Sequence, residues 1–278
     1  MSKQPKGQGL ATTTQEEQPI SVTVKDLLES GAHFGHQRHR WNPKMKRYIY
    51  EERNGIYIID LAKTMQQIRK AVEVVREVVA KRKSILFVGT KKQAKVVIQD
   101  CAERAGEFYV CNRWLGGMLT NFSTIRKSVE TLKRIEKKIA TQGERMLKKE
   151  LSVLQKEREK LESNLSGIRS MREKKLPGLL IIVDPGSEHI AVAEAKKLGI
   201  PVMALIDTNC NPDPIDYVIA CNDDAVKSIQ LILNELTQAI IDKKNDMNIG
   251  TTKGDEQEDF QEGLQELDEE AGEEGGKE

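Results

Sequence analysis

Three short runs in this chain are apolar at nearly every position: SILFVG at 84–89, LLIIVD at 179–184 and PVMALID at 201–207. A strand with one wet face alternates polar and apolar side chains, whereas a strand covered on both faces does not. These runs therefore predict parallel strands buried between helices. Two weaker candidates, residues 107–110 and 216–220, bring the sheet to about five strands. Between them apolar residues recur at helical spacing over 64–81, 92–105, 188–198 with Gly199 as terminator, and 223–242. Strand and helix in alternation imply right-handed crossovers and an α/β sandwich, here over residues 21–120 and 176–242.

Residues 121–175 break that rhythm. Ile125, Val129, Leu132, Ile135 and Ile139 recur three or four apart, TQGE interrupts, and Leu147, Leu151, Leu154, Leu161, Leu165 and Ile168 resume, with Arg158 on one seam position. Two antiparallel helices follow, each roughly 30 Å long at 1.5 Å per residue. So narrow a stripe buries a single seam, which predicts a protruding coiled-coil hairpin. Its remaining faces carry a charge surplus, with sixteen Lys/Arg against eight Asp/Glu.

Upstream, residues 46–50 and 56–61 flank EERNG, and Asn54-Gly55 supplies the positive backbone angles of a tight turn, so a small hairpin is expected over 46–61. Immediately before it, residues 31–50 (GAHFGHQRHRWNPKMKRYIY) hold five Lys/Arg, three of the four histidines, four aromatics and no acidic residue. Arg38, Arg40, Lys44, Lys46 and Arg47 can neutralise phosphates. Phe34, Trp41, Tyr48 and Tyr50 offer flat faces to unpaired bases or sugars, and the combination points to RNA. The same residues also suit a basic loop anchored to a core by its aromatics.

The net charge of +1 conceals a division along the chain: residues 245–278 carry two Lys/Arg against thirteen Asp/Glu, leaving +12 for residues 1–244. A basic body suits a polyanionic partner. Residues 1–20 and 243–278 lack the apolar side chains that would offset the entropy of ordering them, so a disordered N-terminal arm and a disordered acidic tail are expected. No run approaches the roughly eighteen apolar residues of a membrane span, and residues 1–19 lack the apolar core of a signal peptide, so a cytoplasmic protein is expected. Cys101, Cys111, Cys210 and Cys221 have nine and ten residues between the members of each pair, a spacing that fits reduced, buried thiols better than a zinc ribbon.

Catalytic signatures are weak. VGTKK at 88–92 joins a strand to a helix and could hold an anion, but it lacks the spacing of a nucleotide or dinucleotide loop. Asp184 and Asp207 end adjacent candidate strands, with His189 one turn into the next helix. Together they could hold a divalent cation or act as acid and base, although strand-end aspartates commonly cap helices. His33, His36 and His39 are three apart, yet Gly31, Gly35 and Pro43 argue against a regular helix and no carboxylate or thiol there completes a zinc set. No catalytic residue, metal or cofactor is assigned. RWLGGMLTN at 113–121 reads as a compact loop before the helical hairpin, presenting Arg113 and Trp114 to RNA or packing Trp114 beneath, with Thr120 or Asn121 as cap.

Taken in order, GAHFGHQRHRWNPKMKRYIY, NGIYIIDLAKT, ILFVGTKKQA, NRWLGGMLTNFSTIRKS, LPGLLIIVDPGSEHIAVAEAKKLGIPVMALIDTNCNP and VIACNDDA closely resemble the bacterial small-subunit ribosomal protein S-two (S2) family, over most of residues 21–242. The resemblance implies a Rossmann-like (flavodoxin-like) parallel sheet with a protruding helical hairpin. It implies a structural, noncatalytic constituent of the small ribosomal subunit that braces ribosomal RNA near the head-body junction and helps dock protein S-one, with other small-subunit proteins as neighbours and no small-molecule substrate. Family RNA contacts carry over onto Arg38, Arg40, Trp41, Asn42, Lys44, Lys46 and Arg47, and further onto Lys91, Lys92, Arg113, Arg126, Lys127, Lys133 and Arg134. Two other readings remain open from the residues alone: a nucleotide- or small-molecule-binding enzyme on the same scaffold, and a protein-docking adaptor using the hairpin or the tail.

Overall fold

A computed structural model describes residues 20–171 and 176–247. The chain enters through α1 (Val24–Glu29), where Thr23 and Asp26 form a reciprocal capping box. β1 (Phe34–Gln37) leads into two 3-10 segments, Arg38–Arg40 and Pro43–Tyr48, which carry most of the basic residues. The expected hairpin follows as β2 (Ile49–Arg53) and β3 (Ile56–Ile59), with Asn54 at φ 52° and Gly55 at φ 75° in its turn. β1 pairs with the far side of β3, making a three-stranded antiparallel sheet where the sequence predicts only two strands. FGHQ carries neither apolar alternation nor β-branched residues to announce β1.

The main body then reads α2 (Leu61–Ala80), β4 (Ile85–Val88), α3 (Lys92–Ala105), β5 (Phe108–Val110), α4 (Phe122–Gln142), α5 (Lys148–Leu165), β6 (Leu179–Val183), α6 (His189–Lys197), β7 (Val202–Ile206), β8 (Tyr217–Ala220) and α7 (Val226–Asp246). All five strands run parallel in the order β5-β4-β6-β7-β8, the Rossmann-like α/β sheet expected. Strand order reverses between β4 and β6, which opens the sheet's C-terminal edge into a crevice at that point.

Alternate side chains of each strand fill two cores. Ile85, Phe87, Leu179, Ile181, Val183, Met203 and Leu205 face α2, α3 and α7. Leu86, Val88, Leu180, Ile182, Ala204 and Ile206 face α6, the start of α4, and Met45 and Ile59 from the basic region. The 3-10 segment and the antiparallel sheet are thus packed onto the parallel one through buried Met45 and Ile59 rather than standing apart.

Several boundaries move for local reasons. α2 starts at Leu61, three residues before the expected 64, because Asp60 Oδ1 accepts from the N–H groups of Ala62 and Lys63. α7 runs four residues past 242 because buried Lys244 donates to the carbonyls of Ala105 and Gly106. α4 and α5, linked by a 3-10 turn at Gly143–Arg145, occupy the region expected to be helical. Ile125, Val129, Leu132 and Ile135 are buried as their spacing predicts, but Leu147 is 71% exposed at the N-cap of α5 and leaves the stripe. The expected arm, apart from Ile20, and the acidic tail from 248 onward lie outside the described residues.

Candidate nucleic-acid interface

The basic segment is strapped across the loop after β7. Asn42 N–H donates to the Thr208 carbonyl and His36 N–H to Thr208 Oγ1, both at 2.8 Å. Gly35 makes this approach possible, since a Cβ there would lie 2.6 Å from Thr208 Cγ2 and 3.0 Å from the Tyr57 carbonyl. Trp41 packs on Tyr57 with ring centroids 4.8 Å apart, and Asn42 Oδ1 caps the second 3-10 segment by accepting from Lys44 N–H. With the backbone and Trp41 turned inward, the cationic side chains point out.

Arg40 and Lys46 are exposed and have no carboxylate partner among the described residues; Arg47 is exposed with its guanidinium 4.9 Å from the Tyr48 ring centroid. Arg38, 73% exposed, approaches Glu52 at 3.7 Å, and Lys44 pairs with Asp213 at the surface. Such pairs contribute little when solvated and leave both cations available. An open depression of about 610 Å³ lined by Gln37, Arg38, His39, Trp41, Asn54, Gly55 and Ile56 lies beside them. Phe34 and Tyr50 are exposed, and Tyr48 is half-buried.

Lys92 opens α3, exposed, and Arg113 is exposed beyond the end of β5, so both share the C-terminal edge of the sheet with the basic segment. Arg126, Lys127, Lys133 and Arg134 are exposed along α4, with Arg126 Nε 3.4 Å from Glu130 and Arg134 donating to Thr131 Oγ1. Lys91 is turned inward instead. Its ammonium sits 2.6 Å from Asp223 and also contacts Asp224, while the N–H and hydroxyl of neighbouring Thr90 donate to Glu188. Thr90 and Lys91 thus turn their anion-binding groups to the protein's own carboxylates, while Lys92 stays exposed.

A band of buried acid lies under the basic segment. His36 Nδ1 is 3.0 Å from Asp207 and its Nε2 3.4 Å from Asp224. The hydrogen bond to Asp207 raises the His36 pKa, burial opposes it, and the charges of Asp207, Asp223 and Asp224 add to the rise. Burial and the Asp207 charge push Asp223 up to about 7 despite the ion pair with Lys91. Burial lowers the Lys91 pKa, but bonds to Asp223 and Asp224 outweigh it and the net shift is upward. The three histidines of the segment do not converge: His33 stacks on Phe34 and His39 faces the open depression. His189 is exposed at the start of α6 and belongs to neither group of clustered ligands.

Trp114 is buried, its Nε1–H donating to Glu194 at 3.0 Å. The same carboxylate accepts from the N–H groups of Gly117, Leu119 and Thr120 and from Thr120 Oγ1. Burial would raise its pKa, yet the bonds from Trp114 and the backbone prevail and hold it below the usual carboxylate value. Glu194 therefore fixes the loop that aims Arg113 outward and starts α4, where Asn121 is the N-cap but makes no side-chain bond to the helix backbone. Nothing at 113–121 signals a carboxylate 74 to 80 residues away.

The sequence matches the family model described as Ribosomal protein S2 over residues 27–243. It is 68% identical over 241 residues to a small ribosomal subunit protein uS2 of Protochlamydia amoebophila, covering 87% of this chain and 88% of the relative. Similar matches reach the uS2 proteins of Chlamydia abortus, 60% identical over 84% of each chain, and Chlamydia trachomatis serovar A, 60% identical over 84% of this chain and 82% of the relative.

Proposed function

Since this chain belongs to the ribosomal protein S2 family, and so acts as a structural, nonenzymatic constituent of the small ribosomal subunit, we propose that it braces small-subunit ribosomal RNA through the C-terminal edge of its sheet. Arg38, Arg40, Lys44, Lys46, Arg47, Lys92 and Arg113 would meet phosphates there, with Trp41 and Asn42 shaping the surface. Phosphate contacts fix position and orientation, and the aromatic and amide groups fit local RNA shape. Arg126, Lys127, Lys133 and Arg134 extend the positive surface along the helical pair, read as a coiled-coil hairpin, while Lys91 acts from below by holding Asp223 and Asp224. In the same reading the site lies near the head-body junction and the protein helps dock protein S-one.

The observation that carries the proposal is the strap itself: backbone bonds to Thr208 and buried Met45 lock a segment whose Arg40, Lys46 and Arg47 lack carboxylate partners among the described residues. Such preorganisation reduces the entropy lost on binding. The test is binding of the full chain to small-subunit ribosomal RNA across salt concentrations. Replacing Arg40, Lys46 and Arg47 with Ala should flatten the log-log salt slope by about two to three, one phosphate per residue. An unaltered slope would sink the proposal. Protein S-one docking is checked separately, by S-one cosedimentation with small subunits prepared with and without this chain; equal amounts in both would remove that part.

A further inference from the structure

Beneath the RNA-facing strap, the loops after β6, β7 and β8 bring Asp184, Cys210 and Asp223 together, each buried, with one ligand atom from each within 4.8 Å of the others. Asp223 is fully buried; Lys91 occupies its Oδ1, and its Oδ2 has no hydrogen-bond partner. A buried carboxylate oxygen left bare is costly, and its neighbours here are a thiol and a second carboxylate. Gly186 lines the same space: a Cβ there would lie 3.1 Å from Cys210 Sγ and 3.2 Å from Asp184 Oδ1. Asp184 is already oriented by the N–H groups of Gly186 and Ser187 and by Ser187 Oγ, as outer bonds orient a ligating carboxylate.

The neighbouring trio of His36, Asp207 and Asp224 differs, because its Asp224 is half exposed, whereas all three members of the first trio are buried. Asp184, Asp207 and Asp223 are all under 9% exposed, and among the described residues the basic side chains in contact with these acids are Lys91 and His36. We propose that Asp184, Cys210 and Asp223 bind one divalent transition-metal cation. A mixed oxygen and sulfur set suits an ion of intermediate softness, with water in the remaining position. The thiol proton is released as the sulfur-metal bond forms, so uptake frees one proton per ion from Cys210. The ion would join three loops that support the basic segment.

Co2+ is the probe, because cobalt bound to thiolate gives a near-ultraviolet charge-transfer band. Full-length protein purified in chelator and then dialysed should take up one Co2+ per chain and show that band. Cys210→Ser should abolish the band, Asp223→Asn should remove uptake, and Cys101→Ser, altered on the remote α3, should leave both intact. Circular dichroism checks that the variants fold, and wild-type uptake decides the matter even where one does not. No uptake by the wild type, or a band that survives in Cys210→Ser, would overturn the proposal. RNA binding is measured independently of this result.

Discussion

The two edges of the parallel sheet handle buried charge in opposite ways. At the N-terminal edge, Glu107 accepts from Ile85 N–H at 2.7 Å and pairs with Lys244 at 2.7 Å, and that ammonium also reaches the carbonyls of Ala105 and Gly106. At the C-terminal edge, Asp184, Asp207 and Asp223 are buried close together, the Lys91 ammonium and the His36 imidazole touch the cluster, and one Asp223 oxygen is bare. The first arrangement is closed and holds α7 to the sheet. The second leaves charge unresolved next to the exposed arginines and lysines, as expected of an edge that meets something else.

The largest effect is expected where the accounting is closed. Lys244→Met leaves a buried carboxylate with no counter-charge and should cost about 3–5 kcal/mol in urea unfolding. Adding Glu107→Gln should recover most of that, because no buried charge then remains; failure to recover would show that the pair matters for shape rather than charge. Glu194→Gln is next. It keeps the size but weakens five charge-assisted bonds, so a loss of about 2–3 kcal/mol is expected, with hydrogen exchange accelerated first at Leu119 and Thr120. Gly35→Ala forces the strap off Thr208 and should cost about 1–3 kcal/mol by the same unfolding assay.

The smallest effect concerns pH. The folded pKa of His36 is raised, so its contribution is fully present below the unfolded value of about 6.5 and fades as pH climbs through the folded value. His36→Gln should therefore destabilise more at pH 5.5 than at pH 8.5. Asp207, Asp223 and Asp224 face the imidazole, and all three favour its charged form. An equal cost at both pH values would show that His36 packs there without being charged.

How legible this was in the sequence depended on distance along the chain. The strands at 85–88, 179–183 and 202–206 announced themselves through continuous apolar runs, and the 54–55 turn through Asn-Gly, because those signals are local. The clustering of cations in residues 31–50 was equally plain. What supports them was not: Thr208 lies 172 residues from His36, Asp223 lies 132 from Lys91, and Lys244 reaches Ala105 across 139. No spacing rule connects such partners before the fold is known. Lys91 looked like a free cation beside a helix start, and only Asp223 and Asp224, brought over by β8, show that it is spent internally. The end of α7 was hidden too, since KKND is polar throughout and offers no apolar position to continue the helical pattern until Lys244 is seen to be buried.

The most direct measurement is sedimentation of full-length protein with small ribosomal subunits lacking it, at moderate salt. Wild type and the Lys244→Met, Glu107→Gln double variant should travel with the particle, whereas the folded Arg40, Lys46 and Arg47 to Ala variant should stay at the top of the gradient. If that triple variant instead sedimented with the particle as wild type does, the C-terminal edge would not be the surface that holds this protein in place.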